Sequence, residues 1–76
     1  MTGNEWLEEF SDNLMLLIKE KKYTQEEVAR EAGLSDSALS SYINGIRKPG
    51  IKAVINISYV LDCSIDELVD FGEMIE

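Results

Sequence analysis

Apolar residues near the start of the chain recur at steps of three and four. Trp6, Phe10, Leu14, Leu17 and Ile18 form one such series, and the spacing predicts a helix from about Glu5 to Lys21. The alternation expected of a half-buried strand is absent. Thr24 and Glu27 have capping-box spacing: the hydroxyl accepts from the Glu27 amide and the carboxylate reaches back to the Thr24 amide. A second helix, about Gln25 to Ala32, follows and stops at Gly33, a residue that tolerates the left-handed conformation past a helix end. Ser35 caps a third helix, about Asp36 to Asn44, which Gly45 ends. Pro49 and Gly50 lead into a fourth, about Ile51 to Leu61, with Ile51, Val54, Ile55 and Leu61 expected on its inner face. Ser64 and Glu67 form a second capping box that opens a short fifth helix carrying Ile65, Leu68 and Val69. Five short helices with tight connections predict an all-α domain.

Composition narrows the possibilities. A chain of 76 residues, 45% hydrophobic, is expected to form one small folded domain over residues 1–76. With one cysteine, Cys63, and no histidine, it has neither an internal disulfide nor a Cys/His metal set. There is no G-x-S-x-G and no glycine-rich phosphate loop. Asp66/Glu67 and Asp70/Glu73 read as solvated helix faces. No enzymatic activity, cofactor or metal is expected. An acidic N-terminus and the absence of a membrane-length apolar run point to a soluble, cytoplasmic protein without a membrane partner.

Charge adds a shape. The net charge is −8, from seven basic and fifteen acidic residues. Residues 1–18 carry four acids and no base, and residues 53–76 carry six acids and no base. Residues 19–52 hold all seven bases against five acids, a net of +2. Three of those bases, Arg47, Lys48 and Lys52, fall within the stretch GIRKPGIK. Such segregation suggests one face for an anion and others kept away from it.

The second and third predicted helices are separated only by Gly33-Leu34-Ser35. These supply a flexible hinge, an apolar plug and the next cap, as a helix-turn-helix requires. Ala29 is small where the helices come closest, and Val28, Leu34 and Leu39 would face the core. The run TQEEVAREAGLSDSALSSYINGIRKP, Thr24 to Pro49, resembles the helix-turn-helix of the Cro/C1-type (XRE-like) regulators. VINISYVLDCSIDEL, Val54 to Leu68, resembles that family's fourth and fifth helices. The resemblance covers about residues 14–69 and leaves a helical extension at 1–13 and an acidic tail at 70–76. Trp6 and Phe10, in the extension, are read as core residues packing near Leu68 and Phe71.

The resemblance implies a lambda-repressor-like fold and a DNA-binding transcriptional regulator. In the family this is typically a repressor, of phage, mobile-element or bacterial origin. Its third helix would enter the major groove of double-stranded DNA, which sets Asp36, Ser37, Ser40 and Ser41 at base edges. Gln25 would touch a phosphate, with Asn44, Arg47, Lys48 and Lys52 along the backbone. GIRKPGIK would then be a phosphate clamp. Asp36 either accepts from a cytosine amine or serves the helix dipole. A homodimer, at least on DNA, is expected, with Ile65, Val69, Phe71 and Ile75 as its surface, and no small-molecule ligand. The alternative is an acidic protein on the same fold that binds another regulator. Where the family usually pairs an arginine with a glutamate, this chain has Ile18 and Ile43, which are expected to touch. Cys63 falls where the family has a buried aliphatic residue and is expected in the core.

Overall fold

The computed structural model describes residues 5–69. It contains α1 (Glu5–Glu20), α2 (Gln25–Glu31), α3 (Asp36–Ile43), α4 (Ile51–Val60) and α5 (Ile65–Leu68), and no strand among the described residues. Both expected capping boxes form. The Thr24 hydroxyl accepts from the Glu27 amide at 3.1 Å and the Glu27 carboxylate accepts from the Thr24 amide at 2.8 Å. At α5 the Glu67 carboxylate likewise accepts from the Ser64 amide, at 2.8 Å, while the Glu67 amide donates to the Ser64 carbonyl at 3.1 Å. Ser35 Oγ accepts from the Ala38 amide at 3.0 Å to start α3.

Four helix ends share one geometry. Lys22, Gly33, Gly45 and Asp62 each adopt positive φ, at 63°, 72°, 70° and 53°. After each, an amide donates to a carbonyl five residues earlier: Tyr23 to Ile18, Leu34 to Ala29, Ile46 to Ser41 and Cys63 to Ser58. This is the Schellman closure, which satisfies carbonyls the helix leaves open. Glycine marks two of these ends. At the other two, lysine and aspartate hold the same conformation at a cost of about 1 kcal/mol.

α1 buries Leu7, Phe10, Ser11, Leu14, Leu17 and Ile18. Residues 5–13, the extension beyond the family resemblance, are therefore the first half of a continuous helix, and Phe10 is fully buried. Trp6 packs on the edge of the core. α1 lies against α3 and α5, and α2 packs against α3 and α4. Val28, Leu39, Val54, Ile57, Leu61 and Leu68 complete the core, with Leu34 half-buried beside it. Ile18 and Ile43 both lie in this core, on the packed helices α1 and α3. Single hydrogen bonds tie its edges. Asn13 Nδ2 donates to the Leu68 carbonyl at 2.9 Å, and Asn56 Nδ2 to the Ala32 carbonyl at 3.4 Å.

Three expectations need correction. The inner face of α4 is Val54, Ile57 and Ser58, continued by Leu61, while Ile51 and Ile55 are about half exposed. The core lies against α2 and α5, and these helices meet α4 on its 54/57/58 side. Val69 is fully buried. It ends α5 in an extended conformation, its amide bound to the Ile65 carbonyl, and its side chain belongs to the core rather than to a surface for a second chain. Cys63 is only half-buried, at the rim of the core. Of the other residues expected at a dimer surface, Ile65 is half-buried. Phe71 and Ile75 lie outside the described residues.

Candidate nucleic-acid interface

α3 is built to present one face. Ala38, Leu39, Tyr42 and Ile43 point into the core. Helical geometry then turns positions 36, 37, 40, 41 and 44 outward. Asp36, Ser37 and Asn44 are exposed, and Ser40 and Ser41 are half-buried. The outward surface is almost entirely short hydroxyls, with one carboxylate at its N-terminal end. Asp36 also sits in the first turn of the helix, where the dipole favours it.

The chain leaving α3 folds back on the helix. The amides of Ile46 and Arg47 both donate to the Ser41 carbonyl, at 2.9 and 3.3 Å. That closure needs the left-handed turn at Gly45. A Cβ there would stand in ordinary contact, 3.4 Å from Ser11 Oγ, so it is the conformation that calls for glycine. Ser11 Oγ in turn donates to the Tyr42 carbonyl at 2.6 Å, a buried link from α1 to the last turn of α3. The Arg47 guanidinium lies 5.9 Å from the centre of the Tyr42 ring, within cation–π range. Tyr42 itself packs edge-on against Phe10. A buried aromatic stack thus supports the arginine from below. Lys48 is exposed next to it, and Pro49 is buried and anchors the end of the loop.

α4 begins beside this loop, and its start is unusual within the molecule. The first turns of α1, α2, α3 and α5 all carry acids, whereas that of α4 carries none. Gly50 provides no side-chain cap, and Lys52 occupies the first turn. In a chain of net charge −8, the one start free of carboxylates among the described helices adjoins Arg47 and Lys48. Amides at such a start suit an anion.

The remaining candidates fit less simply. Gln25 is exposed at the first position of α2, but Glu26 and Glu27 share its turn, and the capping box already uses the Glu27 amide. The Asn44 side chain donates to the Ser40 carbonyl at 2.9 Å and to Ser40 Oγ at 3.3 Å. Its amide nitrogen is therefore occupied in closing α3, and a phosphate contact through it would break that bond. Sequence reasoning missed Ser11 and Tyr42, which position the loop. Their links join residues far apart in the chain, and no local pattern announces them.

Cys63 is not poised for chemistry. Burial pushes its thiol up, Glu67 and Asp62 add to this, and Lys21 opposes it. A raised thiol stays protonated and weakly nucleophilic at neutral pH. No helix among the described residues is long and apolar enough to cross a membrane.

A family model described as helix-turn-helix matches residues 14–68. A protein of Bacillus subtilis (strain 168), named as the uncharacterized HTH-type transcriptional regulator YqaE, is 43% identical over 60 residues. The aligned region is 79% of this chain and 52% of that protein. The chain thus spans about half the length of the curated relative it matches.

Proposed function

The chain belongs to the Cro/C1-type (XRE-like) helix-turn-helix family, and on that premise we propose that it binds double-stranded DNA and regulates transcription through α3 in the major groove. The observation that carries the reading is the juxtaposition on α3: an outward face of hydroxyls, ended by a basic loop that the fold pins to the same helix.

The two parts divide the work. Arg47 and Lys48, with the uncapped start of α4, engage phosphates and supply most of the affinity. Releasing counterions from the duplex drives that binding, so it weakens steeply with salt. Ser37 and Ser41, with Asp36 and Ser40 beside them, reach base edges and rank sequences. Hydroxyls donate and accept with little geometric restriction, so each contributes modest discrimination. Gln25 adds a contact from α2. Bound across a promoter, the protein acts as a repressor by occlusion.

Fluorescence polarisation with duplexes from a randomised pool, over a series of salt concentrations, tests this. Binding that steepens as salt falls and that enriches one sequence class supports the reading. Absence of binding to any duplex at low salt, with the folded state intact, would sink it and leave a regulator-binding protein on the same fold.

A further inference from the structure

Asp36, Ser40 and Asn44 follow one another at four-residue steps and so lie along one line on the outside of α3. The lower two are tied together. Asn44 Nδ2 donates to the Ser40 carbonyl at 2.9 Å and to Ser40 Oγ at 3.3 Å. A carbonyl only accepts, so the amide atom that faces it must be the nitrogen. That nitrogen carries two hydrogens, and Ser40 supplies an acceptor for each.

The consequence falls on the Ser40 hydroxyl. With an N–H aimed at its oxygen, its own hydrogen turns away from Asn44. Ser11 and Ser58 give their hydroxyl protons to the carbonyls of Tyr42 and Ile55. Ser40 stands on the accepting side of both its bonds to Asn44, and no acceptor among the described residues takes its proton. Ser41 has no comparable neighbour, because the residue four positions on is Gly45, which has no side chain. Its hydroxyl stays free to donate or accept.

We propose that Asn44 is a positioning residue: it sets the Ser40 hydroxyl as a donor, and α3 thereby selects a hydrogen-bond acceptor on the base that faces Ser40. The inference rests on the DNA-binding reading and adds a preference to it. In the major groove, purines offer N7, guanine adds O6, and thymine offers O4. Cytosine shows only its N4 amine, a donor. Two donors meeting leave both unpaired, so cytosine is disfavoured at that position. Asn44 is then not a phosphate ligand, since a phosphate oxygen would have to draw the same nitrogen away from Ser40.

Competition polarisation tests this, using a duplex enriched from a random pool and its single-base variants. With the wild-type chain, one position should reject cytosine by roughly fivefold. Ser40→Ala should erase that rejection and leave the other positions ranked as before. Asn44→Ala should weaken it to about twofold, because the freed hydroxyl can turn. Asn44→Asp is the sharper variant. Its carboxylate takes the Ser40 proton and leaves lone pairs outward, so cytosine should become favoured at the same position. Its added negative charge should lower binding to all duplexes together, without touching the ranking. Both side chains are at the surface, and circular dichroism should show a native fold in each variant. An Asn44→Asp ranking equal to that of the wild type overturns the proposal. So does the lack of any position at which Ser40→Ala relaxes discrimination. A wild-type chain that binds no duplex would sink the DNA-binding reading as well, whereas a wild type that binds beside variants that rank as it does sinks this inference alone.

Discussion

α3 and α4 each turn one side to the core, and their outward sides differ in kind. α3 shows solvent Asp36, Ser37, Ser40, Ser41 and Asn44; α4 shows it Ile51, Lys52, Ile55 and Tyr59. Both helices bury aliphatic residues inward, so packing demands nothing particular of either outer face. A row of small hydroxyls leaves room for another molecule to approach the backbone closely. A row of large apolar groups costs solvation unless something covers it. The contrast sets a face open to close approach, at α3, against one that leaves large apolar groups in solvent, along α4.

The largest effect should come from a change that ignores the contrast. Leu39 is fully buried beneath the α3 face. Leu39→Ala should cost about 2–5 kcal/mol, seen as a large fall in melting temperature. In so small a domain both surfaces should fail together. If DNA binding alone were lost, with melting unchanged, the core assignment of α3 would be wrong.

Next come the charged residues that separate the faces. Arg47→Ala and Lys48→Ala should each weaken binding to all duplexes roughly tenfold at low salt. Each should also flatten the slope of log K against log salt by about one. Both side chains are exposed, so neither change should alter the folded state seen by circular dichroism. A loss confined to one class of sequences would place these residues on bases rather than phosphates.

The helix ends give a smaller pair of effects with opposite signs. Gly45→Ala places a Cβ at φ 70°, 3.4 Å from Ser11 Oγ, and should destabilise by about 1 kcal/mol. Asp62→Gly relieves the same conformation and should stabilise by a similar amount, about 1 kcal/mol. Thermal denaturation of the two variants measures both shifts, and a common sign would show that the left-handed conformation does not decide them.

Smallest are the base-facing hydroxyls. Ser37→Ala and Ser41→Ala should leave the melting temperature within experimental scatter. They should change the order of preferred duplexes, by under about 1 kcal/mol between competitors. Competition binding against a pool of variant sites measures this. A uniform loss across all sites would place these serines on phosphates.

Much of the candidate site was legible because its signals are short-range. Thr24, Gly33, Ser35 and Gly45 act on amides and carbonyls within a few residues, so their spacing announces the helix-turn-helix and the loop that carries Arg47 and Lys48. Ser11 and Tyr42 were not legible. The bond between them spans 31 residues, and Ser11 reads from sequence as one more polar residue in an amphipathic helix. The ends of α1 and α4 were read at Lys21 and Leu61, but the left-handed closure at Lys22 and Asp62 was not, for a different reason. The need to satisfy carbonyls after a helix forces the left-handed residue, whatever its side chain.

Where the helices start and stop, and which segment holds positive charge, follow from the order of amino acids alone, because capping and periodicity are local. It could not determine which way α4 faces. Seven of the ten residues in IKAVINISYV are apolar, so the helix is hydrophobic nearly all round, and several rotations would bury a comparable set. Only the packing of α2 and α5 against it selected Val54, Ile57 and Leu61 as core. The same packing drew Val69 inward and left Ile51, Ile55 and Tyr59 outside. Burial of one side of such a helix is decided by the shape of its neighbours, and that shape exists only once the chain has folded.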